Sequence, residues 1–250
     1  MNGRRLAVLG LVGLLVLAGC TGTSEVSQEE LSGEASYDWD ADAKTTFNLS
    51  RGSYTTVVHL QNQSTLRVYE RDALGSEAPV DLTALRFRFP NGTVVNASEA
   101  NVSVTRANNR AVVRLPADNG TVGYSASRSG KRFASPVFVA GSQAVVLPPS
   151  ARIGVPLLSQ ASPGGYDTTV EGNRMAVRWA NVSDGTLNVR YYLERDLLLF
   201  SGLVVLALGI GGGGAIYYLR KIRRLEARRK EYGMDVDDDP QDRGPPPGMN

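Results

Sequence analysis

The segment TALRFRFP, residues 83–90, gives the clearest indication of the fold class of the chain. Its apolar residues Leu85, Phe87 and Phe89 alternate with Arg86 and Arg88. Successive side chains of a β-strand point to opposite faces of the sheet, so this alternation predicts a strand with one buried and one solvent-facing side. The segment therefore predicts that the core of the protein is built from β-strands.

Similar short β-branched runs continue on both sides of this segment. They lie at residues 54–60, 64–70, 93–95, 101–106 and 111–116. Their spacing of about ten residues, with Asn-Gly turns at 91–92 and 119–120, is typical of antiparallel β domains. We therefore predict an immunoglobulin-like β-sandwich over residues 44–140.

A second set of alternating residues follows a join rich in proline and glycine. Val177 and Trp179 alternate with polar residues, as do Leu187, Val189 and Tyr191. They predict a smaller, membrane-proximal β module over residues 141–196. About 55 residues make a marginal core, so we expect this module to pack on the first domain or on the membrane surface.

The most apolar part of the chain is residues 197–219, which contain no charged side chain. A helix of this length covers about 35 Å, more than the roughly 30 Å hydrocarbon core of a bilayer. We predict a transmembrane α-helix here. Within it, Gly209 and Gly213 have the G-x-x-x-G spacing that lets two helices approach closely, which predicts a homodimer; the alternative is a flexible apolar helix without a partner.

A basic segment follows the helix and predicts its orientation. Its cationic residues are Arg220, Lys221, Arg223, Arg224, Arg228, Arg229 and Lys230. Such clusters stay cytoplasmic and lie against anionic lipid headgroups. Residues 220–250 are thus predicted to be a cytoplasmic basic helix and disordered tail, with residues 20–196 outside the cell.

The N-terminus has the layout of an export signal. Arg4 and Arg5 precede an apolar run that ends in Leu17-Ala18-Gly19-Cys20. Those last four residues resemble a lipobox, so residues 1–19 are predicted to be a signal peptide and Cys20 a lipidated residue. An ordinary signal peptide with an incidental cysteine is the alternative.

Residues 20–43 are predicted to be an acidic, flexible spacer, because they are rich in carboxylates and small polar residues. Asp38, Asp40 and Asp42 resemble the opening of a calcium loop, but Ala43 and Leu49 stand where that loop needs Gly and Glu. We therefore assign no metal site.

Asn-x-Ser/Thr sequons are unusually frequent in the predicted external region. They lie at Asn48, Asn62, Asn91, Asn96, Asn101, Asn119 and Asn181. These are seven of the 11 asparagines between residues 21 and 196, well above the number that the Ser and Thr content predicts by chance. We predict N-glycosylation on the side that the topology places outside.

Catalytic chemistry has little support in the sequence. His59 is the single histidine and lies in a strand-like run, where a satisfied or surface imidazole is more common than a general base. Asp167, Glu171 and Asp184 are formal candidates for a carboxylate pair. We expect no enzyme, no catalytic residue and no cofactor, and the net charge of +2 argues against a nucleic-acid binder.

The chain as a whole resembles an uncharacterised family of lipobox-containing, single-pass surface proteins of halophilic archaea. The resemblance rests on Leu17-Ala18-Gly19-Cys20, on VLPPSARIGVPLLSQASPGGYDT and VRYYLERDL, and on the terminal RRKEYGMDVDDDPQDRGPPPGM. Four lysines among 27 basic residues fit a halophile, whereas the nearly neutral external region departs from the usual acidity of such proteins. The resemblance implies an envelope location and no known activity.

The predicted function is that of a membrane-anchored cell-surface protein whose glycosylated β region binds a surface protein or a glycan, or has a structural role. One alternative is an accessory subunit of a membrane complex, held through the span and the basic tail. A hydrolase of envelope polymers is the other alternative. Under all three predicted functions the protein crosses the cell membrane once, so the lipid bilayer is a partner in each.

Overall fold

The computed structural model describes residues 24–71, 75–99 and 102–231. The predicted signal peptide, Cys20, Asn101 and the tail beyond residue 231 lie outside the described residues. The described chain is mainly β, with one long C-terminal helix, which confirms the predicted fold class at that level.

The strands are β1 Ser24–Glu25, β2 Thr45–Leu49, β3 Ser53–Leu60, β4 Thr65–Arg71, β5 Glu77–Pro79, β6 Leu82–Arg88, β7 Val94–Asn96, β8 Ser103–Ala107, β9 Arg110–Arg114, β10 Gly120–Ser127, β11 Arg132–Pro136, β12 Gly141–Val146, β13 Ala151–Arg152, β14 Gln160–Ser162, β15 Tyr166–Glu171, β16 Arg174–Val182, β17 Thr186–Arg190 and β18 Tyr192–Leu193. The helices are α1 Gln28–Leu31 and α2 Glu194–Glu231.

The largest sheet has eight strands in the order β15-β16-β12-β2-β3-β10-β6-β7. Its neighbouring strands are antiparallel except β2 and β12, which run parallel and pair Thr45 with Gln143 and Phe47 with Val145. The predicted alternation in β6 is confirmed, because Leu85 and Phe87 are buried whereas Arg86 and Arg88 remain partly exposed. The register of β6 against β10 shifts beside Ala84, which has a left-handed backbone conformation.

Three smaller sheets complete the β region. A five-stranded sheet has the order β1-β8-β9-β4-β5, a three-stranded sheet has the order β11-β17-β14, and β13 pairs with β18. Side chains from the eight-, five- and three-stranded sheets share one hydrophobic cluster, which includes Phe47, Tyr124, Val113 and Leu187. Burial of this shared apolar surface stabilises the β region as one body.

The strands do not divide into two domains at residues 140/141 as predicted, because strands on opposite sides of that boundary pair with each other. β12 lies after that boundary but pairs with β2, and β11 lies before it but pairs with β17. Residues on both sides also belong to the same hydrophobic cluster. The chain instead divides into two compact units at Glu194, so residues 24–194 are called the β unit below. A separate module at 141–196 would have had only a marginal core of its own, and the parallel β2–β12 pair makes these residues part of the larger core.

Residues 24–43 are not the flexible spacer predicted from their composition. β1 pairs with β8, and Val26 and Leu31 are buried in the hydrophobic cluster. The Tyr37 hydroxyl donates a hydrogen bond to the Ala84 carbonyl at the irregularity in β6. A few apolar anchors therefore hold a stretch whose many carboxylates face solvent.

Helix α2 contains the predicted span of residues 197–219 and continues through the basic segment to Glu231. Among the described residues it is the one helix long and apolar enough to cross a membrane. The apolar side chains along it are exposed, as in a helix whose covering is lipid or another chain.

Candidate functional site

The candidate site lies on the face of the eight-stranded sheet that points away from the hydrophobic cluster. On β2, Phe47 and Leu49 point into the cluster, so Thr46 and Asn48 lie on the opposite face. Residues 36–43 cross part of this face, and the uncovered part forms an open groove of about 330 Å³. We call it the outer-face groove.

Charged side chains of both signs line the outer-face groove. They are Asp38, Asp40, Asp42, Glu171, Arg174 and Arg178. Its floor includes Thr46, whose buried hydroxyl has no hydrogen-bond partner among the described residues. Polar donors and acceptors therefore converge on one concave surface, which is the usual composition of a ligand site.

Arg174 is the most enclosed cation of the groove. Its Nε donates to the Leu147 carbonyl at 2.9 Å, and its Nη2 donates to the Leu49 carbonyl at 2.8 Å and to Asn48 Oδ1 at 2.6 Å. All three acceptors are uncharged. Desolvation lowers the pKa of Arg174 from its ordinary value, although an arginine stays protonated. Because these acceptors are neutral dipoles, they fix the position of the guanidinium group without neutralising its charge, and the charge can still attract an anionic group.

The carboxylates of the groove are much more exposed. Asp42 is 3.9 Å from the Arg178 guanidinium in a long, exposed pair, which contributes little to stability. Asp40 makes a shorter contact of 2.7 Å with Arg88 of β6, and this contact helps hold residues 36–43 across the sheet. The other carboxylates, Asp38 and Glu171, belong to exposed residues of the groove lining.

His59 has a structural role beside the groove. Its Nε2 lies 3.0 Å from the Ala41 carbonyl, and its Nδ1 lies 2.9 Å from Thr121 Oγ1. The carbonyl can only accept, so Nε2 is the donor there, and in the neutral imidazole the Thr121 hydroxyl then donates to Nδ1. Both nitrogens are engaged, so the imidazole ties residue 41 to the sheet.

The three carboxylates singled out in the sequence do not form one cluster. In the register of β15 against β16, Glu171 lies opposite Arg174 and Asp167 lies opposite Arg178. Residues opposite each other share a face of the sheet, so Asp167 and Glu171 lie on the groove face. Asp184 instead lies in the turn between β16 and β17, away from the groove lining. Among the described residues there is no group of three His, Cys, Asp or Glu side chains that could hold a metal ion.

Sequence reasoning missed the two arginines of the groove, although a signal was present. Arg174 and Arg178 are four positions apart on one strand, and a period of two places both on the same face. The convergence of β2, β12 and β16 could not be inferred, because it depends on the parallel pairing of β2 with β12.

The predicted sequons differ in their surroundings. Asn62, Asn91, Asn119 and Asn181 are exposed. Asn62 and Asn119 lie together, because the backbone N–H of Asn62 donates to Asn119 Oδ1 at 3.0 Å. Asn96 is half-buried and its Oδ1 accepts from the Ser98 hydroxyl at 2.7 Å. The half-buried Asn48 is held by Arg174 in the groove.

The residues predicted to act at the membrane all belong to helix α2. The structure does not describe the side chain of Lys230. Arg220, Lys221, Arg223, Arg224, Arg228 and Arg229 are exposed on the helix. A Cβ atom added at Gly209 or Gly213 would meet no atom within 4 Å, so both positions have open space beside them.

The β unit and the helix define a class of protein: a mainly β domain followed by one helix able to cross a membrane. The chain belongs to the DUF5803 family, a family of unknown function, whose model matches residues 41–237. This range contains β2 to β18 and all of helix α2, so the family match covers most of the β unit together with the helix. A search of curated proteins finds no significant match to the chain.

Proposed function

We propose that the protein is a non-enzymatic binding module held at the cell membrane by helix α2, with its β unit outside the cell. The observation that carries the proposal is the direct passage from β18 into a helix that contains an uncharged stretch over residues 197–219. The outer-face groove is then the surface that the anchored β unit offers to a partner. A surface protein or a glycan would find both cationic donors and carboxylate acceptors there.

The sidedness of the membrane is tested by labelling single cysteines in intact cells. Ser129→Cys lies in the exposed turn between β10 and β11, whereas Asn250→Cys lies at the end of the predicted cytoplasmic tail. We expect a membrane-impermeant maleimide to label Ser129→Cys before lysis and Asn250→Cys only after lysis, each compared with the wild-type background from Cys20. The reverse pattern would overturn the proposed orientation.

Partner binding in the groove is tested with a photo-crosslinking residue. We expect a crosslinker at Glu171 in the groove to give adducts, and one at Arg51, in the exposed turn between β2 and β3, to give none. Reversing the charge of Asp42 in the Glu171 crosslinking variant should remove the adducts. Equal adducts at Glu171 and Arg51 would show that the groove is not the binding surface.

Three finer features belong to the same proposal. Export would be followed by lipidation of Cys20, which would hold the N-terminal end of the β unit close to the membrane. The low share of lysine favours a halophilic archaeal origin. An immunoglobulin-like relationship is supported by sheets that share one core.

Glycosylation of the external sequons is also part of the proposal. The exposed Asn181 has room for a glycan on β16, whereas a glycan on Asn48 would have to leave the groove beside Arg174. We expect glycopeptide mass spectrometry to find a glycan at Asn181 and none at Asn48. An occupied Asn48 with an unmodified Asn181 would contradict this assignment.

The exposed apolar surface of helix α2 supports a second candidate, an accessory subunit that binds a membrane complex. The two candidates differ in where the partner is lost. Replacing residues 197–231 with an unrelated membrane span should leave partners of the groove in place but should remove partners of an accessory subunit. Recovery of partners can be compared by mass spectrometry after detergent extraction.

A further inference from the structure

The loop over residues 153–159 exposes one leucine far more than the other described apolar residues of the β unit. Leu157 is 85% exposed, whereas Val170 and Val94, the other large exposed apolar residues among those described in the β unit, are 53% and 44% exposed. Val155 and Pro156 precede it and Leu158 follows it, so the loop presents a short apolar segment. A single exposed leucine is ordinary on a protein surface, and its significance here depends on where the loop lies.

Strand pairing joins this loop to the last strands before helix α2. At one end, Ala151 pairs with Leu193 and Arg152 pairs with Tyr192. At the other end, Gln160 pairs with Arg190. Both ends of the loop are thus joined to the last strands before the helix.

Hydrogen bonds within the loop fix its shape. The Gly154 amide donates to Ser159 Oγ at 2.9 Å, and the same hydroxyl donates to the Val155 carbonyl at 2.9 Å. The Leu158 amide also donates to the Val155 carbonyl at 3.0 Å. Leu157 therefore stands at the tip of a compact turn and does not collapse onto the β unit.

Chain length limits how far the loop can be from the membrane span. The uncharged stretch begins at Leu197, four residues after Leu193, which pairs with the base of the loop. Four residues reach at most about 14 Å even when fully extended. This limit holds for any direction that the helix takes. Residues 194–197 are already helical, so they rise only about 6 Å, which is comparable with the roughly 5–8 Å interfacial layer on each side of the hydrocarbon core.

A cation accompanies the exposed leucine. Arg190 is exposed and its Nη2 donates to the Leu157 carbonyl at 3.3 Å. An apolar tip next to a guanidinium group is suited to the boundary between acyl chains and headgroups, where the side chain can enter the apolar region and the cation can meet phosphate.

We propose that the loop over residues 153–159 inserts Leu157 into the interfacial region of the bilayer, with Arg190 contacting lipid phosphate. This contact rests on the proposed membrane anchoring. It gives the β unit a second attachment to the lipid surface and thereby restricts its tilt relative to the membrane.

The test places a tryptophan at the tip and measures its contact with lipid. Leu157→Trp and the matched control Val170→Trp are prepared as full-length protein in vesicles whose lipids carry bromine at the sixth and seventh acyl carbons. The native Trp39 and Trp179 give the same background in both variants. We expect Leu157→Trp to lose most of its added emission in brominated lipid and Val170→Trp to keep it.

Two results would overturn the proposal. One is equal quenching of the two variants. The other is an added emission in Leu157→Trp that is unaffected by bromine but changes with protein density in the vesicle, which would show that a second copy of the chain covers the leucine. Carbonate extraction of the same vesicles tests the anchor separately, since an extracted protein contradicts the proposed function and a retained, unquenched one contradicts only the loop contact.

Discussion

At Arg174 a guanidinium group uses two strand-end carbonyls and one amide oxygen as acceptors, and in doing so it joins β16 to β2 and β12. A partly buried cation of this kind stabilises the fold through the acceptors that it satisfies as well as through its own charge. Its position at the groove means that structure and binding depend on the same side chain.

Replacement of Arg174 by alanine should therefore destabilise the β unit. The Leu147 and Leu49 carbonyls would lose their charged donor, at an expected cost of about 2–4 kcal/mol. Arg178→Ala removes a guanidinium from the same groove whose ion pair is 3.9 Å long and largely exposed, so its expected cost is below about 1 kcal/mol. Urea unfolding of the full chain in detergent, followed by near-UV circular dichroism, compares the two variants. Equal losses would contradict the role given to Arg174.

A second charged residue couples stability to pH. Arg110 donates to both carboxylate oxygens of Glu77 at 2.6 and 2.9 Å, and its guanidinium lies 4.5 Å from the centre of the Tyr69 ring. The hydrogen bond from Arg110 lowers the pKa of Glu77 below its ordinary value of 4.5. The stabilising effect is complete above the unfolded pKa and is lost as pH falls through the folded pKa.

Glu77→Gln should flatten the acid side of the stability profile. In the wild type, we expect the melting temperature to fall more steeply below about pH 4.5 than in the variant, because protonation of Glu77 breaks its charged pair with Arg110. Glu70→Gln changes an exposed carboxylate on the neighbouring strand β4 and serves as the control. The assignment fails if the control flattens the profile as much as Glu77→Gln does.

Local alternation predicted much at the level of single residues, and the reason lies in strand geometry. Arg86 and Arg88 could be placed on the outer face of β6 because the period of a strand is visible in the sequence. The partner of Arg88 could not be predicted, since Asp40 is 48 residues away and only the folded chain brings the two together. Contacts of this range depend on the whole sheet.

Among the elements, residues 24–43 show how composition can mislead. Their carboxylates predicted a solvated spacer, yet burial of Val26, Leu31 and Tyr37 is enough to hold the segment. Tyr37 and Trp39 pack over Gly123 of β10, where a side chain would have no room. A composition average cannot detect three apolar anchors that match positions on distant strands.

Gly123→Ala tests this packing directly. A Cβ atom there would lie 2.9 Å from both Trp39 Cη2 and Tyr37 Cγ, so residues 37–42 must shift. We expect a loss of about 1–3 kcal/mol and faster amide hydrogen exchange in residues 37–42. Gly52→Ala is the matched control, because a Cβ atom at Gly52 meets no atom within 4 Å. Unchanged exchange in Gly123→Ala would contradict the packing of this segment.

For the whole molecule, the parallel pair of β2 and β12 determines the organisation of the β unit. It joins residues 45–48 to residues 143–146, across almost 100 positions of sequence. Turn residues and strand periods predict which segments are strands, but they carry no information about a parallel partner so far along the chain. The helix, in contrast, was predictable because its length and lack of charge are local properties.

Pairing of helix α2 with the same helix of a second copy would make the protein a dimer. Small residues lie on two opposite sides of helix α2, so the side that forms the contact can be tested. At 100° per residue, Gly209 and Gly213 lie on one side of the helix, whereas Gly211 and Ala215 lie on the opposite side. If Gly209 and Gly213 form the contact, Gly213→Ile should abolish association in detergent, because its side chain separates the two backbones. Gly211→Ile should retain it. Loss of association in Gly211→Ile alone would move the contact to the other face, and retention in both variants would show that these glycines do not pair the helices. Since both substitutions add the same volume to the same apolar helix, a difference between them in cross-linked dimer yield can only come from which side faces the partner.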